Sequence, residues 1–112
     1  LSEIVSNMAF KTGTDTLTKI SKRNIAKIAA VLKENPNIKV KFETHTDNQS
    51  YSISNKDLSD NRAKAIIELL KAEGVDAARM SYEGYGDTKP IDNNESETGR
   101  SKNRRIEVKV IN

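Results

Sequence analysis

A chain with no cysteine and a single histidine offers few side chains able to do chemistry, and most of them fall at regular spacing: Glu43, His45 and Asp47, then Arg62, then Arg104. Glu43, His45 and Asp47 alternate and can share one strand face, which raises a metal site or a general base, with an envelope hydrolase as the matching activity. Neither a second histidine nor a cysteine completes a transition-metal shell, and no serine or cysteine sits in a nucleophile elbow. The residues therefore predict no metal, no cofactor and no catalytic group, with His45 orienting its loop by hydrogen bonding. The opposite charges say more. Asp47 can cap a turn by bonding nearby backbone, or it can receive a ligand ammonium. Arg62 falls one turn after Leu58 and one before Ile66, on or beside an apolar stripe, so its guanidinium needs an anion: Asp47 or Asp57 within the protein, or a ligand carboxylate gripped by the fork. Both readings bring opposite charges together, and only the second leaves a pocket for a small zwitterion. Arg104 shares parity with Ile106, Val108 and Val110 and also needs an anion.

These groups need a scaffold, and the apolar periodicity supplies one. Ile4 and Val5 suggest a short first strand, closed by the turn cluster Thr12-Gly13-Thr14-Asp15. Leu17, Ile20, Ile25, Ile28, Ala29 and Leu32 recur every three or four residues, which predicts an amphipathic helix ending before Asn35-Pro36. Ile38, Val40 and Phe42 alternate with Lys39, Lys41 and Glu43, a strand that delivers the chain to His45 and Asp47. Leu58, Ile66, Leu69 and Leu70 mark a second helix, with Gly74 placed for a left-handed C-terminal cap. Met80 and Tyr82 begin a third strand running into Gly84-Tyr85-Gly86, with both tyrosines packing the sheet. Ile106, Val108 and Val110 form the last strand after a long polar loop. The expected fold is α+β, with a mixed β-sheet, helices packed on one face, and the order β-α-β-α-β-β.

A chain of 112 residues, 35% hydrophobic and 31% charged, is sized for a single domain spanning 1–112 with a wet surface. Its 19 basic and 16 acidic residues are interspersed, giving a net charge of +3 that describes a solvated surface better than a nucleic-acid footprint. Arg100, Lys102, Arg104 and Arg105 could form a phosphate-binding cluster, but aromatics are only 4% of the chain and no stacking platform accompanies them. No nucleic-acid partner is expected. No run is long enough to span a membrane, so no direct membrane insertion is expected either. The start at Leu1 suggests a mature or excised fragment, with any anchor outside it. A homodimer is left open.

The ordered motifs resemble those of the OmpA-like domain, the C-terminal periplasmic domain of outer membrane protein A that also occurs in the peptidoglycan-associated lipoprotein and in flagellar stator proteins. Thr46-Asp47 matches the family's TD step. The run from Asn55 to Ala63 fits N-x-x-L-S-x-x-R-A at every specified place. Gly84-Tyr85-Gly86, Pro90, Asn94-x-Ser96-x-x-Gly99-Arg100 and Asn103-Arg104-Arg105-Ile106-Glu107 complete the series over most of the chain. The resemblance implies non-catalytic binding of peptidoglycan through the diaminopimelate of its stem peptide, in the periplasm of a Gram-negative bacterium. A region outside this chain would tether it to the outer membrane. Asp47 would then accept the ammonium and Arg62 grip the adjacent carboxylate, while Asn55 supports the loop or touches the ligand and Arg104 adds charge or a hydrogen bond. A protein-interaction module of the envelope is the alternative. Thr44 and Ser50 stand where family members commonly have glycine, and a non-glycine residue is costly there if the backbone takes positive φ.

Overall fold

The computed structural model describes residues 1–111. The elements run α1 (Ser2–Ser6), α2 (Lys19–Glu34), β1 (Val40–His45), α3 (Asn55–Ala72), a 3-10 turn (Ala77–Arg79), β2 (Met80–Gly84), α4 (Glu97–Asn103) and β3 (Arg105–Val110). β1 is the central strand, parallel to β2 on one side and antiparallel to β3 on the other. The α+β class and the mixed sheet agree with the sequence expectation, and the element order departs from it in two places.

The first departure is at the N-terminus, where Ile4 and Val5 lie in a helix instead of a strand. Leu1, Ile4, Val5 and Met8 are spaced i, i+3, i+4, i+7, the helical period, and Val5 and Met8 are buried in the core. The extended backbone comes later: Phe10 bridges Leu17, and the Lys11 N–H donates to the Thr16 carbonyl at 2.8 Å around the expected turn. The second departure is α4, which separates β2 from β3. Its sequence Glu-Thr-Gly-Arg-Ser-Lys-Asn contains no large apolar residue, so no periodicity announces it, and its start is set by Ser96, whose hydroxyl accepts the Gly99 N–H.

Val40 and Phe42 of β1, both fully buried, meet Ile25, Ile28 and Leu32 of α2 and Ile66 and Leu70 of α3. Each such side chain contributes about 1.5–3 kcal/mol by leaving water, so this layer holds β1 in place. Ile20 does not join the core and is 70% exposed. The helix ends follow their sequence signals. Thr18 and Ser54 cap α2 and α3 by accepting the Ser21 and Asp57 N–H groups. Gly74 takes φ +94° after α3, where the Val75 N–H returns to the Leu70 carbonyl at 3.0 Å.

Gly84 sets how closely β2 packs on α3. A Cβ there would lie 2.2 Å from the Asp60 nitrogen and 2.4 Å from the Ser59 carbonyl carbon, so only glycine fits. Its N–H instead donates to Asp60 Oδ1 at 2.9 Å. The face of β1 away from the helices carries Lys41, Glu43 and His45 opposite Lys109, Glu107 and Arg105 of β3.

Candidate functional site

The chain leaves β1 under tight control. Beyond the end of the strand, the Thr46 N–H donates to the Gly86 carbonyl at 2.9 Å, and the Tyr85 N–H donates to the Thr44 carbonyl at 3.0 Å. Asp47 is thereby placed inside the protein, 1% exposed. Its Oδ1 accepts the Gln49 N–H at 3.0 Å, the backbone bond expected of an Asp at a turn, and its Oδ2 lies 2.7 Å from Arg104 Nη1. Asn55, the first residue of α3, donates from Nδ2 to the Gln49 carbonyl at 3.0 Å and so ties the far end of the loop to its beginning. Thr44 and Ser50 impose no strain, since no non-glycine residue among those described has positive φ. Thr44 instead uses its hydroxyl to bond the Ser59 carbonyl of α3.

Arg62 sits on the buried side of α3, 6% exposed. It pairs with neither Asp47 nor Asp57, and among the described residues no carboxylate reaches it. Its Nε donates to the Thr14 carbonyl at 2.7 Å, Nη2 approaches the Lys11 carbonyl at 3.5 Å, and the guanidinium lies over the Phe10 ring at 5.0 Å. The turn 11–14 thus aims the fork without neutralising it. Burial pushes this guanidinium below its ordinary range, with the neighbouring Arg104 charge acting in the same direction and Tyr51 and Asp47 opposing. The group stays protonated, because arginine does not lose its proton in proteins.

Arg104 lies between two acids. Besides Asp47, it contacts Glu97 of α4 through both terminal nitrogens, and Glu97 also lies 3.5 Å from Arg100 Nε. The bonds to Glu97 lead in holding the Arg104 guanidinium above its usual range, and Arg104 in turn holds the Glu97 carboxyl below its own. Asn103 fixes the base of this arrangement. Fully buried, it accepts the Ile91 and Asp92 N–H groups on Oδ1 and donates from Nδ2 to the Asp92 carbonyl and Asn94 Oδ1. Gly99 completes the seat of α4, since a Cβ there would fall 2.1 Å from the Asn93 carbonyl oxygen.

A cavity of about 480 Å³ opens beside these groups. Arg62, Arg100 and Arg104 supply its positive wall, Glu97 its acid, Gln49 and Tyr51 a polar edge, and Met8, Phe10 and Ile106 apolar surface. Of the residues singled out in the sequence, Arg62, Arg104 and His45 line the cavity, as do Arg100 and Arg105 of the basic cluster. Asp47 stands behind Arg104, and Asn55 lies behind the loop it ties. The sequence does not mark Glu97 or Asn103 as site residues, and it offers Arg100 only as part of a phosphate-binding cluster. Glu97 was legible in principle, being three residues before Arg100 and seven before Arg104, spacings that share one helix face.

The other polar cluster departs from expectation. Glu43, His45 and Asp47 do not converge, because Asp47 turns to Arg104 while Glu43 binds Lys109 Nζ at 2.9 Å and the Tyr85 hydroxyl at 2.8 Å. His45 does not orient its loop by hydrogen bonding. It is buried with neither ring nitrogen hydrogen-bonded among the described residues, and its ring stacks on Tyr85 at 5.1 Å. Tyr82, expected to pack the sheet, is 43% exposed.

The family model described as OmpA family matches residues 9–104. The chain belongs to the OmpA family. It is 34% identical to the outer-membrane lipoprotein YfiB of Pseudomonas aeruginosa over 105 residues, 94% of this chain and 62% of that protein. The chain therefore spans under two thirds of that relative's length. Among solved structures, the cell wall anchor of the T6SS from Pseudomonas aeruginosa superposes with a TM-score of 0.82 at 32% identity, covering 92% of this chain and 74% of that one. The C-terminal domain of Helicobacter pylori MotB gives 0.84 at 27% identity, covering 93% and 82%.

Proposed function

We propose that this chain binds peptidoglycan without breaking bonds in it, gripping the diaminopimelate of a stem peptide, and so anchors an envelope protein to the wall in the periplasm. One observation carries the reading: Arg62 is a buried guanidinium aimed by backbone carbonyls, without a partner carboxylate among the described residues, at the wall of a cavity of about 480 Å³. A buried charge is costly unless paired, and a planar fork at a cavity wall suits a carboxylate that arrives from outside. Likeness to a cell wall anchor adds support from outside the site.

The zwitterion would use both charges. Its carboxylate would meet Arg62, and its ammonium would take the place at Asp47 Oδ2 that Arg104 Nη1 occupies at 2.7 Å. Arg104, swung aside, becomes a second donor for the carboxylate, while Asn55 keeps the loop in position from behind. Each charge-assisted hydrogen bond is worth about 1.5–3 kcal/mol. Displacing Arg104 and ordering the ligand offset part of that, so a single site binds weakly. Firm attachment comes from many tethered copies facing one polymer.

The test is sedimentation with purified peptidoglycan. Asp47→Ala and Arg62→Ala are expected to stay in the supernatant while their circular dichroism remains native. Wild-type binding by both variants would refute the clamp, and release of soluble muropeptides by the wild type would refute the non-catalytic reading.

A further inference from the structure

On the sheet face opposite the helices, we propose that Glu43, His45 and Glu107 form a site for a divalent transition metal of the zinc or cobalt class. His45 also borders the cavity beside Arg62, while Glu43 and Glu107 do not line it, and the inference does not depend on peptidoglycan binding. One ligand atom from each of the three side chains lies within 4.8 Å of the others. β1 supplies Glu43 and His45, which are two apart and on one face, and the antiparallel partner β3 supplies Glu107 in register opposite Glu43. The third ligand therefore comes from across the strand pair, where spacing along a single strand could not reveal it.

Two independent observations point to a cation. The first is His45, only 4% exposed, with both Nδ1 and Nε2 lacking a hydrogen-bond partner among the described residues. Buried polar atoms are nearly always satisfied, and an orphaned pair on one ring is exceptional. Its Nε2 stands 3.7 Å from Glu107 Oε2, too far for a hydrogen bond. That is the spacing of two ligands on one metal: bonds of about 2.0–2.2 Å to each would subtend roughly 120°. The second is the register itself, which sets Glu107 directly opposite Glu43 and so brings two carboxylates beside the buried imidazole, with Lys109, Lys41 and Arg105 as their present counter-charges.

The surroundings fit a metal ligand. Tyr85 stacks within 11° of the His45 plane and holds the ring in place. An imidazole among oxygen ligands selects zinc or cobalt over magnesium or calcium. Competing cations are present. Lys109 Nζ lies 2.9 Å from Glu43 Oε1, Lys41 Nζ 3.5 Å from Glu43 Oε2, and Arg105 Nε 2.6 Å from Glu107 Oε2, with Lys89 over Tyr85. Lys109 has a side chain 58% exposed and can swing into water, so a metal displaces it more readily than it would a buried partner. The competition makes this a moderate site and not a tight one.

The experiment is calorimetric titration of zinc chloride into the chain in a non-chelating buffer, with the His45 imidazole proton shifts followed by NMR. Wild type is expected to bind one zinc with a shift at His45, and magnesium chloride is expected to give no such heat. Glu107→Gln should weaken binding by about tenfold or more, and His45→Gln should abolish it. Glu107 is 43% exposed in its side chain, so its variant decides the matter even if His45→Gln fails to fold. Asp47→Ala and Arg62→Ala should bind zinc as wild type does. No saturable zinc binding in the wild type, or unchanged affinity in Glu107→Gln, overturns the site.

Discussion

Arg104 Nη1 lies 2.7 Å from Asp47 Oδ2, so the acid expected to meet a ligand ammonium already holds an internal cation. Asp47 is 1% exposed, and the pair is screened far less than a surface ion pair would be. In the proposed clamp this contact is an occupied position that a ligand must take over. Arg62, by contrast, has no carboxylate partner among the described residues, so the clamp as proposed makes Arg104 the group that would move.

Glu97 opposes that use of Arg104. It grips both terminal nitrogens from the exposed mouth of the cavity, where it competes with an incoming carboxylate. Glu97→Gln should therefore tighten binding of free diaminopimelate by about two- to fivefold, the scale of one partly exposed ion pair. Calorimetry on the two proteins measures it, and weaker binding in the variant would show that Glu97 helps the ligand.

The same pair gives a pH dependence of stability. Hydrogen bonding from Arg104 lowers the Glu97 carboxyl below its ordinary value in the folded protein. A lowered folded value means the contribution is fully present above the ordinary glutamate range and lost as pH falls through the folded value. Wild type should be the more stable at neutral pH, and its melting curve should converge with that of Glu97→Gln on acidification. Parallel curves across that interval would deny the pair any part in stability.

Arg62→Lys separates charge from shape. An ammonium cannot reproduce the fork that bonds the Thr14 carbonyl through Nε while facing the cavity. Binding to peptidoglycan fragments should fall by about tenfold, the loss of one charge-assisted bond of about 1.5 kcal/mol. Full retention would mean that the site reads only charge.

Asn103→Ala tests the base beneath Arg104. The fully buried amide satisfies two backbone N–H groups, one carbonyl and Asn94 Oδ1. Removing it should destabilise the protein by about 3 kcal/mol, since several buried groups lose partners together. Urea unfolding reads this directly, and a loss under about 0.5 kcal/mol, the scale of an ordinary surface substitution, would contradict it.

The elements with strong apolar periods were legible: α2, β1, α3 and β3 all appear where Ile28, Phe42, Ile66 and Ile106 place them. α1 was misread because Ile4 and Val5 alone look β-branched and strand-like, while the helical spacing emerges only with Leu1 and Met8 included. α4 carries no apolar signal at all. In the site, the sequence placed Arg62 on or beside the apolar stripe of its helix and Asp47 at a strand exit. It could not assign partners, since ion pairing depends on which charges the fold brings together across long separations. Asp47 and Arg104 are 57 positions apart, and their contact arises only because β3 returns beside β1.

A crystal structure of the chain with bound diaminopimelate is the most direct measurement. The account predicts a ligand carboxylate on Arg62, an ammonium within hydrogen-bond distance of Asp47, and Arg104 turned away from that acid. A ligand bound elsewhere, with Arg104 still seated on Asp47, would contradict it.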